Sequence, residues 1–142
     1  MLEIASNLWL GNAMEIRDPK LLFDRDIKAV IDLAYEEKPM VPARQFLYFR
    51  FPIVDSDGND RCTLTLAIQA LLNLLRDDVA TAIGCSAGMS RSPTISAFTL
   101  SIYSGTGVKE IIEQIAHERT LEINPALWNE VQSCVDQLID RR

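Results

Sequence analysis

The sequence predicts an α/β fold, with a mixed central sheet and helices on both of its faces. Short apolar runs that suit β-strands alternate with longer stretches in which apolar residues recur every three or four positions. The strand-like runs come early, and helix-like stretches fill the second half of the chain. Because 142 residues, 48% of them hydrophobic, can bury a sizeable core, we expect residues 1–142 to form a single domain.

Four strands are expected where a short run rich in apolar residues is bounded by residues that favour turns. The fourth run, VATAIG, is short and mostly apolar, which is typical of a central strand buried on both faces. The predicted strands are residues 7–11, 28–34, 46–53 and 79–84.

Four helices are expected from apolar residues at helical spacing. In the first, Leu64, Ile68 and Leu71 fall on one face. Gly105 is suited to end the second helix, and Asn124 followed by Pro125 is suited to begin the fourth. The predicted helices cover residues 63–76, a segment from 91–93 to 105, residues 108–118 and a last segment from residue 125.

Composition and charge exclude several functional classes. A net charge of −6 argues against general nucleic-acid binding, which needs a basic face. The first residues show no signal peptide, and no apolar run approaches the ~20 residues of a membrane helix. Three cysteines without CxxC spacing predict reduced thiols rather than disulfides or a zinc site. We therefore expect a cytoplasmic monomer that needs no metal or cofactor and binds neither nucleic acid nor membranes.

Residues 85–91, CSAGMSR, are expected to join the last strand to the second helix. A tight loop at this place directs backbone N–H groups and the positive end of the helix dipole at one small volume. Gly88 allows a close approach of the backbone. The planar guanidinium of Arg91 can bind two oxygens of one anion. The segment therefore predicts a loop that binds an anion.

Cys85 would lie at the bottom of this loop. A helix N-terminus and a nearby guanidinium favour the thiolate over the thiol. A thiolate held beneath a tetrahedral anion can attack its central atom, so the predicted chemistry is displacement at phosphorus through a cysteinyl-phosphate intermediate. A cysteine at the end of a strand can also be an inert apolar residue. The spacing of Gly88, Arg91, Ser92 and Pro93 after it favours the anion site.

The order Cys, five residues, Arg and then Ser resembles the active-site loop of the cysteine-based protein tyrosine phosphatases. The run AGMSRSPT is most similar to the dual-specificity branch of that superfamily. The resemblance spans nearly the whole chain, since it extends to the segments IASNLWLGN, DIKAVIDLA, FPIVDSDGND and INPALWNEVQS. It implies a phosphatase-like fold and the hydrolysis of phosphotyrosine, and of phosphoserine or phosphothreonine, in proteins, or of small phosphomonoesters.

Carried onto this chain, the resemblance makes Cys85 the nucleophile. It implies that Ser92 donates a hydrogen bond to the cysteine sulfur when the sulfur leaves. The residues that would bind the phosphoryl oxygens are Ser86, Ala87, Gly88, Met89, Ser90 and Arg91.

The resemblance also implies a general acid in the loop that follows a proline-bearing strand. Such a group would protonate the leaving oxygen and later activate water. Asp55 lies 30 residues before Cys85 and three after Pro52, so it is the first candidate. Asp57 is the alternative, because the acidic run DSDGND can also be aligned with the family pattern two residues further along.

One position departs from the family pattern: Gly84 stands directly before Cys85, where relatives generally have histidine. The departure allows an alternative, a protein that binds phosphorylated partners with weak catalysis or none. An arsenate reductase or a sulfurtransferase is a further alternative, since both also place a cysteine in an anion loop. Retention of the nucleophile, the arginine and a suitably spaced acid favours the active phosphatase. Cys62 is either an inert residue at a helix start or a thiol able to trap an oxidised Cys85.

Overall fold

The computed structural model describes residues 1–140 and places all of their strands in one sheet. The strands are β1 (Leu2–Ala5), β2 (Leu8–Asn12), β3 (Ala29–Ala34), β4 (Leu47–Ile53) and β5 (Thr81–Cys85). Their order across the sheet is β1-β2-β5-β3-β4, and only β1 runs antiparallel to its neighbour. The predicted mixed sheet is confirmed. The run VATAIG forms most of β5, which lies in the middle of the sheet with every residue buried.

The four predicted helices are present, with ends within about two residues of the predicted ones. Gly105 ends the second of them in a left-handed backbone conformation, with φ of +78°. Asn124 caps the last, and its side chain accepts hydrogen bonds from the amides of Ala126 and Leu127. The helices are α1 (Pro19–Asp24), α2 (Arg61–Arg76), α3 (Arg91–Ser104), α4 (Val108–Glu118) and α5 (Pro125–Asp140).

The structure adds three short elements that were not predicted: β1, α1 and a 3-10 turn over Glu15–Arg17. Each is too short to show a period of its own. The sequence nevertheless carries a capping signal for α1, Asp18 followed directly by Pro19. In the structure, the Asp18 side chain accepts hydrogen bonds from the amides of Lys20 and Leu21.

The two faces of the sheet are covered unequally. The long helices α2 to α5 pack on one face, and α3 is the innermost, with residues 91–100 all buried. The opposite face is covered by α1 and the 3-10 turn over Glu15–Arg17, whose Ile16 and Leu22 pack against Val30 and Ala82 of the sheet. Helices on both faces were predicted, and this is confirmed.

This arrangement brings loops from several strands to one edge of the sheet. Strands β2, β5, β3 and β4 are parallel, so their carboxyl ends meet at the same edge. In open α/β sheets, ligands bind at this edge. The central strand β5 ends there in Cys85. No helix within residues 1–140 is long and apolar enough to cross a lipid bilayer.

Candidate active site

Residues 85–91, called here the anion loop, connect the end of β5 to the first residue of α3. Gly88 at its centre has φ of +72°, which side chains other than glycine rarely adopt. A β-carbon at this position would also lie 2.7 Å from the carbonyl oxygen of Gly11 and would overlap Nη2 of Arg119. The tight turn of the loop therefore requires glycine on two separate grounds.

The backbone carbonyls of residues 86–90 all accept hydrogen bonds from outside the loop. Arg119 donates to two of them, at 3.3 Å to Ala87 and 3.0 Å to Gly88. The other three bonds run from the amides of Ala13, Glu122 and Thr94 to the carbonyls of Ser86, Met89 and Ser90 respectively. With every carbonyl bonded outward, the loop is fixed with its amides on the other side.

The amide N–H groups of residues 86–90 donate to no residue within the described 1–140. A small cavity of about 90 Å³ is lined by four of these five residues, all except Gly88. Unpartnered backbone donors around a cavity at a helix N-terminus form a site for an anion. The lining residues are Asp55, Cys85, Ser86, Ala87, Met89, Ser90, Arg91 and Glu122.

The thiol of Cys85 lies at the base of this cavity and is 2% exposed. Its Sγ is 3.2 Å from Oγ of Ser92, which is itself fully buried on the first turn of α3. A hydroxyl at this distance can donate a hydrogen bond to a thiolate. The structure thus brings together the two residues that the resemblance had paired.

Arg91 is 6% exposed and is held by a carboxylate that the sequence did not indicate. Glu36 accepts from its Nη1 at 2.6 Å and from its Nη2 at 2.5 Å. Nη1 also donates to the carbonyl oxygen of Ile53 at 2.9 Å. Burial alone would lower the pKa of Arg91, but the hydrogen bonds with Glu36 and the charges of Cys85, Glu36 and Asp55 outweigh burial and raise it. The guanidinium is therefore a fixed positive charge.

The ion pair with Glu36 leaves one edge of the Arg91 guanidinium without a partner among residues 1–140. A guanidinium has five N–H donors, and the carboxylate and the Ile53 carbonyl engage three of them. Within residues 1–140, no group accepts from Nε of Arg91. The edge formed by Nε and Nη2 has the spacing that binds two oxygens of a phosphate.

Glu36 itself carries the largest pKa displacement near the site. Its hydrogen bonds with Arg91 are the main cause, and they outweigh partial burial to lower its pKa from 4.5 to about 2. The hydroxyl of Ser86, which has one proton to donate, lies 2.5 Å from a carboxylate oxygen of Glu36 and 3.0 Å from one of Glu37. Both glutamates lie in the loop after β3, 49 and 50 positions before Ser86. No local pattern in the sequence signals a contact over that separation.

Residues 54–60, called here the acid loop, connect β4 to α2 and hold the two candidate acids at different places. Asp55 lines the cavity beside Cys85, and its Oδ1 accepts from the hydroxyl of Ser90 at 2.6 Å. Asp57 lines a separate, larger cavity between the acid loop and α5.

Helix α5 supports the acid loop from outside. The side chain of Asn124 donates to the carbonyl oxygen of Asp55 at 2.8 Å. The carboxylate of Glu130 accepts from the amides of Gly58 at 2.7 Å and Asn59 at 3.0 Å. Neither residue was singled out for this purpose from the sequence, because the contacts join segments about 70 residues apart.

The space beside Gly84, the residue before Cys85, is filled from the other face of the sheet. A β-carbon on Gly84 would lie 2.7 Å from Cγ2 of Ile16 and 3.0 Å from the carbonyl oxygen of Gly11. Ile16 is fully buried on the 3-10 turn, so it cannot swing out into solvent. Glycine is present here because Ile16 occupies the space that a larger side chain would need.

The other two cysteines lie outside the cavity. Cys62 is an exposed free thiol at the start of α2, and it lines a different cavity. Cys134 is buried in α5, where burial raises the pKa of its thiol. Within residues 1–140, no group of three or more His, Cys, Asp or Glu side chains is placed to hold a metal ion.

Comparison with solved structures identifies the fold. Human DUSP28 superimposes with a TM-score of 0.85 over 100% of both chains, at 20% sequence identity. DUSP15 superimposes with a TM-score of 0.81 over 100% of this chain and 96% of its own, at 22% identity. PTPMT1 in complex with PI(5)P reaches a TM-score of 0.75 over 99% of this chain and 97% of its own, at 21% identity.

The chain therefore has the fold of the dual-specificity phosphatases, as the resemblance of its anion loop predicted. No protein-family model matches the sequence, and no curated protein is significantly similar to it.

Proposed function

We propose that this protein is a phosphatase that hydrolyses phosphomonoesters, including phosphotyrosine, through a cysteinyl-phosphate intermediate. The observation that carries the proposal is the anion loop: its amides at residues 86–90 are unpartnered, and four of these residues line one cavity together with Arg91 and the buried Cys85. An anion of phosphate size would satisfy these donors and bring its central atom above the sulfur. Such preorganised donors stabilise the charge on the transferring phosphoryl group.

In the first step, the Cys85 thiolate attacks phosphorus. A sulfur–phosphorus bond forms while the bond from phosphorus to the leaving oxygen breaks, and Asp55 gives its proton to that oxygen. The placement of Asp55 in the cavity with Cys85, and of Asp57 in another cavity, supports Asp55 as the acid. The hydrogen bond from Ser90 keeps the Asp55 carboxyl group over the loop.

In the second step, water attacks the phosphocysteine. An oxygen–phosphorus bond forms, the sulfur–phosphorus bond breaks, and the carboxylate of Asp55 takes a proton from the water. The departing sulfur becomes a thiolate again and accepts a hydrogen bond from Ser92, which lies 3.2 Å away. Inorganic phosphate then leaves the loop. Every step uses protein side chains and water alone.

The decisive experiment is hydrolysis of p-nitrophenyl phosphate in EDTA, between about pH 5 and 7, where a thiolate and a carboxylic acid can coexist. The wild-type protein should turn over, and Cys85→Ser should not. Cys62→Ser is the matched control, because it removes an exposed thiol that does not line the cavity. Mass spectrometry of a rapidly quenched reaction should find one phosphoryl group on the peptide that contains Cys85. Equal activity of Cys85→Ser and wild type would refute the mechanism.

A protein that binds phosphate without turnover is the second candidate, because Gly84 replaces the histidine usual in the family. No hydrolysis by the wild type, together with vanadate binding that Arg91→Lys weakens, would establish that alternative. The retained acid and the hydroxyl beside the sulfur favour the enzyme, since binding alone needs neither.

We further propose that residues 1–142 act as one catalytic domain, as a monomer in the reducing cytoplasm, on phosphorylated proteins or small phosphomonoesters.

A further inference from the structure

Three glutamates, called here the acidic rim, lie at the mouth of the cavity beside Asp55, which the proposed mechanism needs in its protonated form. Glu122 lines the cavity directly. Glu36 and Glu37 both contact the hydroxyl of Ser86, another lining residue. The side chains of Glu36 and Glu37 are 53% and 34% exposed, so their charges are accessible from solvent next to the cavity.

The nearby cations offset this rim only in part. Arg91 pairs with Glu36 and so offsets the charge of that one carboxylate, but it is buried beneath the rim as part of the anion site. Arg119 is engaged by the carbonyls of the anion loop and lies 3.7 Å from Glu15, a further carboxylate. Arg17 lies 4.0 Å from Glu37, but it is shared with the buried Asp32 at 3.8 Å. Each of these two outer arginines is therefore accompanied by a carboxylate outside the rim, and Arg50 donates to the backbone carbonyls of Tyr35 and Glu37. The rim keeps an excess of negative charge through the carboxylates of Glu37 and Glu122.

Such a site is positive only at its floor and negative around its mouth. A single phosphate fits the floor, where the loop amides and Arg91 converge. Additional negative groups next to that phosphate would meet the rim at close range, whereas cationic groups would be attracted to it. A rim of one sign also steers the approach of oppositely charged ligands.

We propose that the site selects phosphomonoesters carried on a basic stretch of polypeptide, with lysine or arginine on either side of the phosphorylated residue. The proposal rests on the phosphate-binding part of the proposed function and deepens it by naming the substrate class. Phosphoinositides in membranes are the opposite class, because their headgroups carry further phosphate and the surface around them is anionic. The rim disfavours them.

The test compares three phosphotyrosine peptides of equal length whose flanking residues are lysine, glutamine or glutamate. Affinity is measured by fluorescence anisotropy on Cys85→Ser, so that the result does not depend on turnover, and kcat/KM is measured on the wild type. Both the affinity and the kcat/KM for the lysine peptide should exceed those for the glutamate peptide by about tenfold or more, since several exposed charge pairs of modest strength act together. The preference should shrink when the ionic strength rises from about 0.05 to about 0.5 M.

The variants separate the rim from the overall charge. The double variant Glu37→Gln with Glu122→Gln removes two rim charges, and it should reduce the lysine-to-glutamate ratio by about threefold or more. The matched control, Asp24→Asn with Asp77→Asn, removes two exposed charges at the ends of α1 and α2, next to the opposite edge of the sheet. It changes the net charge equally and should leave the ratio unchanged.

Three results would overturn the proposal: equal affinity for the lysine and glutamate peptides, an equal effect of rim and control variants, or faster turnover of phosphoinositide vesicles than of the lysine peptide. Failure of the proposed function gives a different result. In that case p-nitrophenyl phosphate is not hydrolysed by the wild type, while the anisotropy experiment still measures the preference of the rim.

Discussion

Gly84 shows how one residue of the site is determined from the far side of the sheet. The space that a side chain would need is filled by Ile16, a buried residue on the opposite face. A histidine at this position would therefore have to displace Ile16 before it could act on Cys85. The departure from the family pattern has a packing cause, which follows from the fold and was not evident from the loop alone.

Replacing Gly84 with alanine should destabilise the protein by about 1–3 kcal/mol, the usual cost of inserting a methyl group into a packed core. Urea denaturation measures this free energy of unfolding. In Gly84→Ala with Ile16→Ala the overlap with Ile16 disappears and only the close approach to the Gly11 carbonyl oxygen remains, so the double variant should cost less than the sum of the single ones. Gly107→Ala is the control, because nothing lies within 4 Å of a β-carbon there. Additive costs would show that the two residues do not compete for space.

The pairing of Glu36 with Arg91 predicts a titration of Glu36 that can be measured directly. Its carboxyl carbon should titrate near the lowered pKa of about 2 in a ¹³C NMR experiment, and it should return towards 4.5 in Arg91→Ala, which removes the main cause of the shift. Because this pKa is depressed in the folded state, the ion pair stabilises the protein above about pH 4.5 and loses that effect as the pH falls to about 2. The stability difference between wild type and Glu36→Gln should therefore shrink over this interval. A Glu36 titration near 4.5 in the wild type would contradict the observed pairing.

The two candidate acids predict unequal effects of the same substitution. Asp55→Asn should lower kcat by about 100-fold or more, the scale of general acid catalysis. Asp57→Asn, in the same loop but outside the cavity, should change kcat by less than about threefold. Steady-state kinetics on a phosphotyrosine peptide from pH 5 to 8 distinguish them. A larger loss with Asp57→Asn would transfer the role to that residue.

At the scale of elements, the acid loop is held in place by α5 and by the anion loop together. Ser90 of the anion loop donates to Asp55 and accepts from the amide of Asn124 at the start of α5. About one and a half turns further along α5, the Glu130 carboxylate accepts hydrogen bonds from two backbone amides of the acid loop. Asp55, the anion loop and the last helix are thus linked through hydrogen bonds, so a weakened contact between α5 and the acid loop should affect the proposed chemistry through Asp55.

Glu130→Ala should therefore impair hydrolysis most where the leaving group needs protonation. We expect about a tenfold loss of kcat for phenyl phosphate and a much smaller loss for p-nitrophenyl phosphate, whose leaving group departs more readily. Glu130→Gln keeps an oxygen acceptor and should restore most of the activity. Asp136→Ala removes an exposed carboxylate elsewhere on α5 and serves as the control. Equal losses on both substrates would indicate general destabilisation instead of a positioning role.

The sequence predicted those elements whose signals are local. Helix α4 has apolar residues at helical spacing, and it was predicted with the observed bounds. The anion loop was recognised because Cys85, Gly88 and Arg91 lie within seven residues. Glu36 and Ile16 escaped prediction, because each meets the anion loop or its preceding strand only after distant segments fold together. Local patterns determine an element, whereas the neighbours of a site are determined by topology.

For the whole molecule, the two tryptophans allow a test of the proposed single domain. Trp9 packs with the apolar cluster on the face that carries α1, and Trp128 packs 4.6 Å from Phe98 in the core on the other face. Because β5 contributes Ala82 to one cluster and Ile83 to the other, neither face can unfold without disrupting the strand that ends in Cys85. The faces should therefore unfold together.

Urea unfolding of Trp9→Phe and Trp128→Phe, followed by the fluorescence of the remaining tryptophan and by circular dichroism, should give coincident transitions within each variant. Inorganic phosphate at about 100 times its dissociation constant should stabilise both variants by about 2.7 kcal/mol, since it binds only the folded anion loop. Arg91→Lys should reduce that stabilisation in both. Separate transitions for the two probes, or a phosphate effect seen by only one of them, would show that the faces of the sheet fold independently.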